Sequence, residues 1–230
     1  VAITLPRRRA VVVKLLLLGP AAAALALTGC GSPEYTYVRN ADTYFKVPAS
    51  WHQVDGDQLD LLMSGEDPAS ASAEARKRLV WDVAFDAHRD PSPAHLFMGL
   101  GDEPFVYASV HRLTEEQRDA LSLDAMRDFI LPVTEGTREK AARAGFPLSG
   151  YEPLRDEVLH PGEGLRGVRV VFNYRLAGGP LHTFDQTAYM SADLSRVHVM
   201  LIRCSAGCYR ARADEFDAIA RSFRVKQASG

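Results

Sequence analysis

Cys204 and Cys208 enclose Ser205-Ala206-Gly207, a C-x3-C spacing where an apolar run from Val197 to Ile202 gives way to an amphipathic segment. Joined, two thiols this close shut a five-residue loop and pin a strand-to-helix corner, worth about 2 kcal/mol in chain entropy. Free, they offer soft thiolates suited to Cu(I), and a helix starting at Cys208 would lower its thiol pKa toward redox work. The seven histidines are His52, His88, His95, His111, His160, His182 and His198. No two stand three or four apart on an expected helix, the spacing that presents two ligands on one face. Asp82, Asp86, His88 and Asp90 gather acids about a histidine, which reads as a solvated strand face and turn or as a weak metal site. There is no G-x-S-x-G, no H-E-x-x-H and no phosphate-binding glycine loop, since Gly99-Leu100-Gly101 lacks a third glycine. The expectation is therefore no catalytic residue, no metal, no cofactor and no enzyme activity. Trp51 and Trp81 read as core packing or as walls of a ligand groove.

The elements that would position these groups follow from period and punctuation. Tyr44 to Val47 alternates like a strand, Pro48-Ala49-Ser50 breaks it, Trp51 to Val54 resumes it, and Asp55-Gly56 turns it. Ser64 to Ala75 reads as an exposed loop or weak helix, and Leu79 to Asp86 as a strand with Val83 and Phe85 on one side, Asp82 and Asp86 on the other. His88 to Pro104 is expected to be loop and Phe105 to His111 strand. A helix capped by Ser122 follows, with Leu123, Met126, Phe129 and Ile130 on one face until Pro132, and then a short helix over Thr137 to Ala144. Strands are expected over Tyr151–Leu159, Gly167–Leu176, Leu181–Ser191 and Arg196–Cys204, the last three as an antiparallel meander. The final helix, about Tyr209 to Ser222, carries Tyr209, Ala213, Phe216, Ala220 and Phe223 as one apolar stripe, with Arg210–Asp214 and Asp217–Arg221 as i,i+4 pairs. Strands in runs with segregated helices indicate α+β.

Charge divides the chain in two. Its 230 residues hold 27 Lys+Arg and 29 Asp+Glu, a net charge of −2. Residues 1–29 contain Arg7, Arg8, Arg9 and Lys14 and no acid, so residues 30–230 carry 23 bases against 29 acids, a balance of −6. Such a body has no electrostatic reason to bind nucleic acid. A hydrophobic content of 47% excludes a mainly disordered chain, and three cysteines exclude both a disulfide-dense scaffold and a four-thiolate zinc site.

The basic residues Arg7 to Arg9 precede an apolar stretch, Leu15 to Leu27, of 13 uncharged residues. That is short of the ~20 needed to span a bilayer and suits the h-region of a signal peptide. Leu27-Thr28-Gly29-Cys30 then resembles the bacterial lipobox. The resemblance implies cleavage before Cys30, diacylglycerol on its thiol, and attachment to the outer face of the cell membrane, which two acyl chains make stable. Arg8 to Lys14 also resembles the twin-arginine motif loosely, so twin-arginine and general export both stay open. The expected organisation is a signal peptide over 1–29, a lipidated Cys30 with a tether over 30–40, a single α+β domain over 41–226 and a tail over 227–230. In an exported chain, the Cys204–Cys208 pair is expected as a disulfide.

Phe45-Lys46-Val47-Pro48-Ala49-Ser50-Trp51 resembles the FxVPxxW opening of PsbP-like domains, and Ser222-Phe223-Arg224-Val225 resembles their closing SFxV, which feeds a last strand. The resemblance would cover roughly residues 35–226. It implies an αβα sandwich shared with lipoproteins of the LpqN/LpqT type: a central antiparallel sheet, flanking helices, and a C-terminal amphipathic helix followed by a short last strand. It also implies a non-enzymatic accessory or binding protein of the cell envelope. The partners so expected are the membrane, through the lipid on Cys30, and an envelope protein or apolar small ligand. The alternative is an envelope thiol or copper-handling protein. There the Cys204/Cys208 spacing resembles the C-x3-C of Sco-type copper-delivery lipoproteins, although Tyr209 stands where those have Pro and the motif lies near the C-terminus.

Overall fold

The computed structural model describes residues 34–40, 42–98, 101–162 and 164–226. The lipobox and Cys30 lie outside the described residues. Pro33–Gly230 is a compact unit by itself and contains all three hydrophobic clusters.

In chain order the unit begins with strands β1 (Tyr35–Asn40), β2 (Thr43–Pro48) and β3 (His52–Gln53), then helices α1 (Gly56–Ser64) and α2 (Ala71–Leu79). Strand β4 (Val80–Asp86), helix α3 (His95–Met98) and strand β5 (Phe105–Arg112) follow, then helices α4 (Glu115–Ala120), α5 (Leu123–Arg127) and α6 (Glu135–Arg143). The last third is β6 (Leu148–Gly162), β7 (Leu165–Leu176), β8 (Leu181–Met190), β9 (Arg196–Ser205), α7 (Ala206–Ala211), α8 (Ala213–Ser222) and β10 (Arg224–Val225).

The strands form two antiparallel sheets, one of seven in the order β3-β4-β5-β9-β8-β7-β6 and one of three in the order β1-β2-β10. Alternation along the central strands divides two cores between the faces of the large sheet. Val83, Phe85, Val106, Ala108, Met200 and Ile202 face α8 and the small sheet, which contribute Phe216, Ile219, Phe45 and Val47. Ala84, Phe105, Tyr107, Leu201 and Phe172 face the other way, toward Leu59 of α1 and Leu96 of α3. The result is the α+β, αβα arrangement expected, with its C-terminal helix and short last strand.

Several elements differ from expectation. Asp55-Gly56 opens α1 rather than turning a hairpin: the Asp55 carboxylate accepts from Gln58 N at 3.0 Å, and Gly65 ends the helix with a left-handed φ of 71°. Residues 35–40, read as tether, are β1. The strand over 44–54 is split between sheets, because Trp51 turns in to cap the core and leaves His52 and Gln53 to pair with β4. The loop expected over 88–104 contains α3, and α4 carries an unforeseen capping box between Thr114 and Gln117. The final helix is two: Arg212 departs from helical geometry at φ −121°, ψ 24°, and its guanidinium pairs with Glu215 at 2.7 Å. Asp217–Arg221 pairs as expected, and Arg210–Asp214 does not occur among the ion pairs of the described residues.

Candidate functional site

Three places carry the residues that bear on function: one end of the large sheet, the interface beneath α8, and a cleft beyond the end of α8.

At the sheet end, Asp86 closes β4 fully buried and takes three hydrogen bonds from the loop that follows. The donors are the backbone N–H of His88 (2.9 Å) and of Ser92 (3.1 Å), while His95 Nδ1 lies 2.7 Å from its Oδ2. His88 meets His95 edge to face at 4.9 Å. Asp82 is elsewhere: it accepts from Arg76 at 2.7 Å, and the same guanidinium reaches Asp60 of α1. The structure therefore separates the sequence cluster Asp82/Asp86/His88/Asp90 into a loop organiser and a helix anchor. Among the described residues no group of three or more His, Cys, Asp and Glu is placed to hold a metal.

Nearby, Cys204 and Cys208 are joined, with their Cα atoms 5.9 Å apart. Ser205 caps the turn between them by accepting from Cys208 N at 3.2 Å. With both sulfurs in the bridge the pair has no thiolate to offer a metal in this state. Cys204 is buried in the core beside Ile202, so the bridge ties the end of β9 to α7.

Beneath α8 the large sheet is charged. Arg169 of β7 donates through Nε and Nη2 to Asp185 of β8 (2.9 and 2.7 Å) and through Nη1 to Asp217 of α8 (2.6 Å). The Tyr209 hydroxyl donates to Asp185 at 2.6 Å. Burial pushes the Tyr209 phenol up, and the adjacent Asp185 pushes it further. Burial would raise Asp217, yet Arg169, Arg221 and Arg155 outweigh it and hold the carboxyl below its ordinary range. Every charge here has a counter-charge, which is the condition for burying it.

Beyond α8 the chain enters β10, and a cleft of about 980 Å³ is lined by residues of both sheets and of the end of α8. Tyr44, Tyr189, Leu165 and Phe223 supply its apolar walls; Arg221, Arg224 and Lys226 supply its charge. Tyr189 can lie there because its cross-strand partner is Gly167: a Cβ at that position would come within 2.5 Å of the ring. Burial raises the Tyr189 phenol, while Arg169 and Arg224 oppose that. Among the described residues neither Arg224 nor Lys226 has an ion-pair partner, and no carboxylate, imidazole, thiol or aliphatic hydroxyl is among the lining side chains. Rings and cations in one open cleft suit a ligand with an apolar body and an acidic group.

Trp51, 5% exposed, is buried in the core, and the half-buried Trp81 packs against the same cluster. A small cleft of about 140 Å³ includes Trp81 in its wall but not Trp51. Neither this cleft nor the larger one beyond α8 is lined by both tryptophans. The residues of the large cleft escaped sequence reading. The one available signal was Arg224 and Lys226 alternating with Val225, a two-residue period that puts both cations on one side of a strand.

No family model matches the chain, and no curated protein matches it. Its fold is similar to that of solved structures. The solution structure of CyanoP, the cyanobacterial PsbP of Synechocystis, aligns at 14% identity with a TM-score of 0.51, covering 90% of this chain and 99% of that one. LpqN, involved in cell envelope biogenesis of Mycobacterium tuberculosis, aligns at 13% identity and a TM-score of 0.44 over 84% of this chain and 91% of its own. The Ran-binding protein Mog1p of Saccharomyces cerevisiae aligns at 11% and 0.44, over 84% and 96%. The likeness to CyanoP establishes a PsbP-like fold. No helix among the described residues is long and apolar enough to cross a membrane.

Proposed function

We propose that the chain is a non-catalytic binding protein of the cell envelope, anchored at the outer face of the membrane by lipid on Cys30. It holds a small apolar ligand with an acidic group in the cleft beyond the end of α8. The observation that carries this reading is the cleft lining: aromatic and aliphatic walls with Arg221, Arg224 and Lys226, in a body whose overall balance is acidic. Such groups attract and orient an anion with an apolar body through charge and ring contact.

Native mass spectrometry of the Pro33–Gly230 unit, exported into an oxidising compartment, tests it. The expected result is an added mass that leaves on denaturation and that Arg224→Gln combined with Lys226→Gln abolishes. A unit that stays ligand-free across a panel of fatty acids and aromatic acids would refute the cleft reading. Anchoring is tested separately: the wild-type chain should fractionate with membranes as an acylated species, and Cys30→Ala should not.

A further inference from the structure

The small sheet has an outer face that the cleft accounts for only in part. Directly paired residues of antiparallel strands project to the same side. The register pairs Tyr37 with Lys46 and Arg39 with Tyr44, and Tyr44 in turn with Arg224 of β10. The inward residues Phe45 and Val47 are buried in the core, so these paired side chains face outward. They touch one another across the strands: Tyr37 stacks on Tyr44 at 6.1 Å, and the Lys46 ammonium sits 3.6 Å over the ring of Tyr35. Tyr37 is 62% exposed. No carboxylate projects from this face among the described residues. Two acids flank its strands in sequence: Glu34 precedes β1, and Asp42 in the β1–β2 turn accepts from Arg196 at 2.6 Å.

We infer that this face docks on the surface of an anionic phospholipid bilayer. Tyrosine and long cationic side chains are the groups suited to the headgroup layer, each with an apolar body and a polar tip. The charge is complementary, and it stands out against the acidic balance of the rest of the body. The site is also in the right place for the proposed lipid anchor. Tyr35 is five residues from Cys30, so extended chain puts β1 within ~17 Å of the acyl chains. Tyr44 and Arg224 belong both to this face and to the cleft wall, so docking would present the cleft mouth to the lipid. The inference leans on the lipid-anchor reading only for bringing the membrane close; the attraction itself needs no acyl chain.

The test uses the Pro33–Gly230 unit, which holds all three hydrophobic clusters, made without lipid. It is sedimented with vesicles of phosphatidylcholine alone and with vesicles that also contain phosphatidylglycerol. The unit should partition onto the second kind and not the first, and added salt should release it. Each surface cation is worth about fivefold in partition, so Arg39→Gln with Lys46→Gln should cost about 25-fold. Tyr37→Ala, exposed and harmless to the core, should weaken binding severalfold, while Arg143→Gln on α6 should leave it unchanged. Equal binding to both vesicles, no binding to either, or undiminished binding by the double variant would each overturn the inference. So would capture of an envelope protein through these residues without vesicle affinity. None of these outcomes depends on the mass-spectrometric result for the cleft or on Cys30→Ala fractionation.

Discussion

Arg169, buried under α8, and Arg224, at the mouth of the cleft beyond it, are the same side chain in opposite circumstances. Arg169 is 7% exposed and spends its donors on Asp185 and Asp217. Arg224 is exposed, and no described carboxylate meets it. Burying an ion costs several kcal/mol, so a buried guanidinium persists only where the fold supplies its counter-charges. A guanidinium in an open cleft pays no such penalty and keeps its donors for something that arrives from outside. One helix thus separates charge that builds the molecule from charge that is left available, and the presence or absence of an internal partner is the mark that tells them apart.

The largest expected effect lies on the closed side. Arg169→Met leaves Asp185 and Asp217 in place and should lower unfolding free energy by about 3–5 kcal/mol in denaturant titrations. Adding Asp185→Leu should recover much of that loss; no recovery would mean that packing, rather than charge, dominates the site. The buried histidines should show the same dependence on satisfied charge through pH. Burial depresses His198 and His182 to about 4, opposed by Asp42 on the first and helped by Arg203 on the second. Burial likewise holds His111 at about 4, with Arg76 adding to it. Above pH 6.5 both folded and unfolded imidazoles are neutral. Between about 6.5 and 4 only the unfolded chain takes up the proton, so stability is lost as pH falls through that window. The loss is roughly 2 kcal/mol per histidine at pH 5, and His198→Asn should flatten the slope of denaturation midpoint against pH by about a third. Cys204→Ala with Cys208→Ala should cost about 2 kcal/mol and leave the fold intact, because a short loop limits the entropy the bridge removes. At the open end, Arg224→Gln with Lys226→Gln should change stability by no more than about 0.5 kcal/mol while abolishing ligand retention. A large destabilisation there would place these cations with Arg169 and erase the distinction.

Local chemistry made much of the fold legible in advance. The meander over β7, β8 and β9 follows from the short turns at 177–180 and 192–193 between strand-forming runs, and the Phe216/Ala220/Phe223 stripe from a 3.6-residue period. Phe45-Lys46-Val47-Pro48 placed a strand with its apolar side inward, and Trp51 its cap. Where expectation missed, a local signal had two readings. Asp55-Gly56 can turn a hairpin or cap a helix, and only Leu59 meeting the core beyond it selects the helix. Arg212 is a good helix former, yet the helix breaks there to let α7 follow the disulfide corner while α8 lies across the sheet.

What the chain determined by itself was the sum of its local preferences: strand and helix periods, caps, the acidic balance of residues 30–230, and the nearness of Cys204 to Cys208. Tertiary structure decided which charges meet. Arg169 and Asp217 are 48 residues apart, and Tyr44 and Arg224 stand at opposite ends of the unit. No period in a single segment records those distances. Whether an arginine is sealed against a carboxylate or left at the mouth of a cleft depends on how separated segments pack, and that is set only when the sheets close on one another.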